Sequence, residues 1–188
     1  MVQLPEKIEE ESRAYEAGYR TIADVGKARL RKAVEEYRES SDTLDFGFRV
    51  FTLDRSHFKQ WRVEATSISD PDLVAQMEQH VEHVDHNATQ EGILYELLIK
   101  AGFVPTEKIE TLDLAGKQVF SIAEGALLIC LEEELTSELI DAVADREPMQ
   151  FICLDKGFKG NDQLKANAVQ TFKSRSQGAE TEMVFKVV

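Results

Sequence analysis

The first forty residues carry a helical pattern that differs from the rest of the chain. Thr21-Ile22-Ala23-Asp24 matches a capping box, in which a hydroxyl and an acid three residues later satisfy free amides at a helix start. Apolar residues then recur near helical spacing and predict a helix to about Tyr37. Ser40-Ser41-Asp42 breaks this helix, so we predict a domain boundary there. The two predicted segments are 1–40 and 41–188.

After this boundary the pattern indicates strands as well as helices. Phe46 to Leu53 reads FGFRVFTL, and its alternation of apolar with other residues predicts a strand. Ser69-Asp70-Pro71 predicts a helix start, because proline fits the first helical turn without losing a hydrogen bond. The apolar stripe of that helix consists of Leu73, Met77, Val81 and Val84.

A second helix, predicted from Gln90 to Ala101, ends at Gly102 as helices often do. Tyr95 and Ile99 widen its apolar face beyond the main stripe, which consists of Ile93, Leu94, Leu97 and Leu98. A helix that is apolar on so much of its surface is either sandwiched within the fold or covered by a partner. Tyr95 and Ile99 are therefore candidate contacts with another protein.

The second half of the chain predicts an α/β fold of α+β character. Short turns at Ala115-Gly116-Lys117 and Glu124-Gly125 favour an antiparallel meander of three strands. Those strands are predicted at 109–114, 118–122 and 126–131. Strand–helix–strand connections then give parallel pairing. Their elements are a helix at 136–145, a strand at 150–154, a helix at 161–173 and a strand at 182–187. The expected result is a mixed sheet that joins the antiparallel meander to parallel βαβ strands, with helices packed on it.

Composition narrows the possible functions. No apolar stretch among the 188 residues approaches the roughly 20 residues that a membrane span needs, and the first residues lack the pattern of a secretory signal. We therefore expect a cytoplasmic protein without membrane contact. The net charge of −13 repels phosphate, which disfavours DNA binding by the chain as a whole. Cys130 and Cys153 lie in apolar runs, which favours buried thiols over a disulfide.

One loop between a predicted strand and helix is a candidate contact site. Ligand loops of α/β sheets commonly lie beyond the carboxyl ends of strands. The alternative is a tight connection in which Asn161 or Asp162 caps the next helix, and the residues favour this reading. The candidate residues are Asp155, Gly157, Lys159, Gly160, Asn161 and Asp162.

Other candidate chemistry is weak. His80, His83 and His86 follow one another at three-residue spacing on a predicted helix, where neighbours can share a face. Successive histidines rotate around the helix, however, so we predict no metal site. No Ser/His/Asp set stands out around His57 or elsewhere.

Five collinear stretches between Val2 and Lys173 resemble one known family. They read VQLPEKIEEESRAYEAGYRTIADVGKARLRK, LDFGFRVFTLDRSHFKQW, ILYELLIKAGF, AGKQVFSIAEGALLICLEEELTSELI and FICLDKGFKGNDQLKANAVQTFK. In that order they resemble the C-terminal part of the modification (Mod) subunit of type III restriction–modification systems. That subunit is an adenine-specific DNA methyltransferase.

The resemblance implies that residues 1–40 are the helical tail of a Rossmann-type methyltransferase fold, followed by the C-terminal domain of the family. Gln3 is then the nearest equivalent of the residue that faces the ribose of S-adenosylmethionine (SAM). The family's F-x-G-x-G loop and Pro-Pro motif lie upstream. Here no two prolines are adjacent and no two glycines are separated by one residue. We therefore expect no catalytic or cofactor-binding centre in this chain alone.

The resemblance also implies partners. The family's Mod subunit dimerises, associates with a helicase–nuclease restriction (Res) subunit, and meets DNA through the full complex. We expect this chain to serve assembly and to support N6-adenine methylation. The alternative is a free-standing interaction protein derived from such a subunit, without enzymatic activity. A third class, a small-ligand binder using residues 155–162, rests on fold analogy alone.

Overall fold

The computed structural model describes residues 3–38, 47–58, 84–178 and 182–188. The chain divides into two compact units, Met1–Thr52 and Leu53–Val188. The boundary that the sequence predicts at about residue 40 lies outside the described residues. Among the described residues, no helix is long and apolar enough to cross a membrane.

The first unit contains a short helix α1, Arg13–Glu16, and a longer helix α2, Ile22–Arg38. The predicted capping box is confirmed at the start of α2. The Thr21 hydroxyl accepts from the Asp24 amide at 3.2 Å, and the Asp24 carboxylate accepts from the Thr21 amide at 3.0 Å. These two bonds satisfy amides that have no partner within the helix, so the start of α2 is fixed by residues close in sequence.

The second unit is built on a five-stranded sheet with the strand order β1-β2-β3-β4-β5. The first three strands pair antiparallel, and β3, β4 and β5 pair parallel, which confirms the predicted mixed sheet. The strands are β1 Ile109–Leu114, β2 Lys117–Ile122, β3 Leu127–Cys130, β4 Gln150–Cys153 and β5 Val184–Val187. Ala115 and Gly116 join β1 to β2 with left-handed φ values of 52° and 73°. This backbone matches the twist of a two-residue hairpin turn.

Three helices cover the sheet: α3 Gln90–Lys100, α4 Ser137–Ala144 and α5 Asp162–Ser176. Each begins at a residue whose side-chain oxygen accepts a hydrogen bond from an amide of the first turn. These residues are Thr89, Thr136 and Asn161. Such caps are local, and the predicted helix bounds agree closely with the observed ones.

The sheet separates two apolar clusters. Leu128 and Phe151 belong to the cluster that includes residues of α4 and α5, whereas Leu127 and Ile129 belong to the cluster that includes residues of α3. Every residue of β3 is buried, because helices cover both faces of this strand. The apolar run ALLICL is typical of a strand in that position.

The two cysteines lie side by side on the parallel strands β3 and β4, where Cys130 and Cys153 are partners in register. Both are buried and free, as their apolar surroundings in the sequence favour. Burial raises the pKa of both thiols, because the thiolate loses its hydration.

The predicted strand at 46–53 is wrong for its described part, since residues 47–53 form neither strand nor helix. Their apolar side chains are exposed, and Leu53 is 99% exposed. A strand requires both a neighbour for its backbone groups and a face that buries its side chains. Among the described residues no strand pairs with this segment, so alternation alone did not suffice.

The helix predicted after Ser69-Asp70-Pro71 lies outside the described residues, as do His80 and His83. Val84, the last residue of its predicted stripe, forms an isolated antiparallel bridge with Phe58. His86 lies in a turn.

Candidate functional site

The carboxyl ends of the three parallel strands bring the 155–162 loop to one edge of the sheet. Cys153 at the end of β4 lies beside Cys130 of β3 and Val187 of β5. The loop begins directly after β4 with a single 3₁₀ turn, Asp155–Phe158. Its amide at Asp155 donates to the Val188 carbonyl at 2.7 Å. The loop therefore lies at the position where α/β sheets place ligand loops.

Backbone requirements account for several of the loop's residues. A Cβ on Gly157 would lie 2.9 Å from Leu135 Cγ and 3.1 Å from the Glu132 carbonyl oxygen, so no side chain fits there. The Gly157 carbonyl also accepts from the Leu135 amide at 2.8 Å. Gly160 has a φ of 73°, and Asn161 caps α5. These residues fit the tight connection that the sequence favours.

The charged residues of the loop form ion pairs on its surface. Lys165 Nζ lies 2.6 Å from Asp155 Oδ1, and Lys159 Nζ lies 3.2 Å from Glu134 Oε2. The Lys159 ammonium lowers the pKa of the Glu134 carboxyl. The four side chains are about half-exposed, and such pairs contribute about 0–1 kcal/mol because water screens them. The pairs thus leave this edge polar and accessible.

The other predicted contact residues lie elsewhere on the second unit. Tyr95 and Ile99 are on α3, which belongs to the apolar cluster on the sheet face opposite α4 and α5. Ile99 is 56% exposed and Tyr95 is half-buried. The main stripe of α3 is buried in the core, so part of its wide apolar face is explained by the fold itself. Ile99 remains available for a contact.

A cluster that the sequence reasoning missed centres on the Glu96 carboxylate. Ser56 Oγ donates to Glu96 Oε1 at 2.6 Å, and the His57 amide donates to Oε2 at 2.7 Å. His57 Nδ1 lies 3.0 Å from Oε2, and Lys100 Nζ lies 2.7 Å from Oε1. Burial alone would raise the pKa of Glu96, but the hydrogen bonds outweigh it and lower the pKa to about 2. The carboxylate therefore stays charged at neutral pH.

The contacts around Glu96 stabilise the fold and do not form a catalytic relay. The Ser56 hydroxyl donates to Glu96 rather than to His57, so His57 does not activate it as a nucleophile. His57 Nε2 faces Gly92 on α3, where a Cβ would lie only 2.3 Å away. The bonds thus fasten the segment 56–58 to α3. Glu96 lies about 40 residues from Ser56 and His57 in sequence, so no local pattern connects them.

In the first unit, apolar side chains of helix α2 are exposed rather than buried. Helix α2 contains no buried residue. Ile22, Leu30 and Tyr37 are 44%, 43% and 61% exposed. We call these residues the apolar face of α2. Gln3, the one candidate cofactor contact, lies in the same unit and is also exposed.

No protein-family model matches the chain, and no curated protein is similar to it at a significant level. The described part of the second unit is an α+β domain with helices on both faces of a mixed sheet. Within the described residues, no group of three or more acidic, histidine or cysteine side chains is placed to hold a metal ion.

Proposed function

We propose that the chain is the C-terminal part of a type III restriction–modification Mod subunit and acts in assembly of the methyltransferase. In this proposal residues 1–40 complete a Rossmann-type methyltransferase fold whose other elements lie upstream. The second unit is the C-terminal domain, which contacts a second Mod subunit or the Res subunit in the cytoplasm. DNA is met only through the assembled complex.

The observation that carries the proposal is the apolar face of α2. Helix α2 has 17 residues, and most helical stability in proteins comes from packing of an apolar face rather than from helix propensity. Helix α2 has no buried residue, although it carries Ile22 and Leu30 on one face. A helix of this kind gains stability when another surface covers it. The tail of a larger fold would meet that condition.

SAM does not fit the residues present in this chain. Gln3 is exposed and offers a single amide, whereas a SAM site also needs a glycine-rich loop that lets backbone approach the cofactor. In the full subunit SAM would supply the methyl group. We therefore assign SAM binding and catalysis to the upstream part, and assign no catalytic residue here.

The DNA upstream of the Met1 codon provides the first test. An open frame that encodes F-x-G-x-G and a Pro-Pro motif would identify the matching upstream polypeptide. A stop codon or frameshift at that position would contradict a continuous Mod subunit. It would favour the alternative, a free-standing interaction protein that competes for Mod or Res.

A reconstitution experiment then tests the role of α2. The upstream polypeptide and this chain are purified separately, mixed, and assayed for binding and for transfer of labelled methyl groups from SAM to DNA. We expect methylation only with both pieces. The double variant Ile22→Ala and Leu30→Ala should weaken binding at least tenfold, because it removes apolar area but keeps good helix formers.

The matched control is Arg31→Ala with Glu35→Ala. Both residues are exposed, lie on the side of α2 away from the apolar face, and together leave the net charge unchanged. Binding that is equally sensitive to both double variants, or to neither, would contradict a role for the apolar face.

A further inference from the structure

A second feature of the α+β domain is a cavity of about 290 Å³ beside β1, β2 and β3. Its base includes Glu110, Ser121 and Leu128, which are direct neighbours across the three strands. Arg146, two residues after the end of α4, lies at its rim. The remaining lining residues are Leu112, Glu124 and Gly125. All of these belong to the second unit, so the cavity is independent of the function proposed above.

Ser121 is the polar residue that points to a ligand. It is only 5% exposed and is the one buried polar residue within the described ranges. Its hydroxyl forms no hydrogen bond to any described residue. Every fully enclosed side-chain polar atom of the described residues does have a partner, so the Ser121 hydroxyl must meet the cavity. The hydroxyl is therefore open to the cavity, where it can donate a hydrogen bond to water or to a ligand.

The rim of the cavity carries one cation and one anion that are unpaired within the described ranges. Arg146 and Glu124 are exposed and form no ion pair there. Lys108 is paired with Glu110 and also attracts Glu124, although from beyond ion-pair distance. The side chains of Leu112 and Leu128 provide an apolar floor. A ligand with a single charge would leave either Arg146 or Glu124 without a partner.

We propose that this cavity binds a small zwitterion of the amino-acid type. The ligand's carboxylate pairs with Arg146 and accepts a hydrogen bond from the Ser121 hydroxyl. Its ammonium group pairs with Glu124, and its apolar side chain covers Leu112 and Leu128. The cavity lies at the lower end of the range for small-molecule sites, which restricts the ligand to about the size of one amino acid.

L-Leucine is a suitable probe, because it carries both charges and a short branched side chain. We expect titration of the ¹⁵N-labelled full chain to shift the amide resonances of Ser121, Glu124, Gly125 and Arg146 in a saturable way. A dissociation constant on the order of 1 mM is expected for a ligand this small. Isopentylamine and 4-methylpentanoate keep the side chain but carry one charge each. Both should bind about tenfold more weakly or worse.

Two variants locate the site and one serves as a control. Arg146→Gln and Ser121→Ala should each weaken leucine binding about fivefold or more, because each removes a donor to the carboxylate. Arg146 is exposed, so its variant should fold even if Ser121→Ala does not. Lys156→Gln removes the same charge beyond the carboxyl end of β4, at the other edge of the sheet, and should bind as the wild type does.

Three results would overturn the proposal. The first is the absence of saturable shifts up to about 10 mM leucine, because the affinity would then be too weak for a specific binding site. The second is a set of shifts that Arg146→Gln leaves unchanged. The third is a singly charged analogue that binds as tightly as leucine, since the opposite charges at the rim would then select nothing.

Discussion

At the scale of single residues, Glu96 joins helix α3 to the segment 56–58. Its carboxylate accepts hydrogen bonds from Ser56 and His57, and Lys100 pairs with it from one turn further along the helix. The Glu96 side chain is only 14% exposed. If its carboxylate is removed, water can hardly replace the acceptor that Ser56, His57 and Lys100 lose. Such a group affects stability more than a surface ion pair does.

We expect Glu96→Gln to lower the free energy of unfolding by about 1–3 kcal/mol, because an amide replaces charge-assisted hydrogen bonds with weaker ones. Chemical denaturation at neutral pH measures this change. Glu133→Gln, an exposed residue, is the control and should change stability by less than about 0.5 kcal/mol. Equal effects of the two variants would contradict the contacts described.

The Glu96 carboxyl also predicts a pH dependence. Its pKa is lowered from the ordinary 4.5 to about 2 in the folded protein. The carboxylate therefore stabilises the fold fully above about pH 4.5, and this contribution is lost as the pH falls towards 2. The stability difference between the wild type and Glu96→Gln should shrink over that interval. A difference that grows with acidity would refute the assignment.

Gly157 provides a steric prediction at the same scale. An added methyl group would press on Leu135 and on the Glu132 carbonyl, so Gly157→Ala should destabilise the domain by about 1–3 kcal/mol. Gly178→Ala is the matched control, because its Cβ would have ordinary contact at 3.8 Å from the Arg175 carbonyl oxygen. That control should be neutral or slightly stabilising. Thermal unfolding of both variants decides the point.

At the scale of elements, α5 is attached to the sheet mainly through Ala168 and Phe172. The Phe172 ring stacks on Phe151 of β4 and Phe185 of β5, with centroid distances of 5.5 and 5.0 Å. Leu164 of α5 packs against the same cluster but is only partly buried, so the Phe172 ring makes the largest buried contact of this helix. The aromatic group also holds β5, the last strand of the sheet.

Phe172→Ala should therefore lower the free energy of unfolding by about 3–5 kcal/mol, since it opens a cavity among packed rings. Val169→Ala, on an exposed position of the same helix, should cost less than about 1 kcal/mol. Denaturation curves give both values. A loss of similar size for the two variants would mean that α5 is not held by its aromatic contact.

At the scale of the whole molecule, the two units differ in how much they bury. The core residues lie in the second unit, from Ile93 to Met183, whereas α1 and α2 bury none of their side chains. Local stability follows buried contacts, and helices without them open readily. The two units should therefore respond differently to hydrogen exchange.

We expect backbone amides of α2 to exchange at rates close to those of an unpacked helix in the isolated chain. Amides of β3 and β4 should exchange only through global unfolding, because both strands lie within the core. Hydrogen exchange followed by mass spectrometry measures both. Under the proposed function, binding of the upstream polypeptide should protect α2. Equal protection of α2 and β3 without a partner would contradict the difference in burial between the two units.

The sequence by itself determined the local elements of this protein. The capping box at Thr21, the cap of α5 and the hairpin turn at Ala115-Gly116 each depend on hydrogen bonds or φ values within a few residues. For the cap of α5 the sequence left Asn161 and Asp162 open, and the structure shows Asn161. The apolar run of β3 is likewise a local signal, typical of a strand that is buried on both faces. Such signals predicted the helices, most of the strands and the position of the 155–162 loop, because caps and turns are decided by residues close in sequence. The mixed pairing of the strands was inferred from the lengths and kinds of their connections.

Only the tertiary structure decided which distant residues meet. Glu96 binds Ser56 and His57 across about 40 residues, and the cavity at Ser121 depends on the register of three strands. The alternating segment at 47–53 is no strand, because a strand depends on a neighbour that its own residues cannot supply. Contacts of this kind result from the whole arrangement of the chain, whereas capping and turn formation are decided within a few residues.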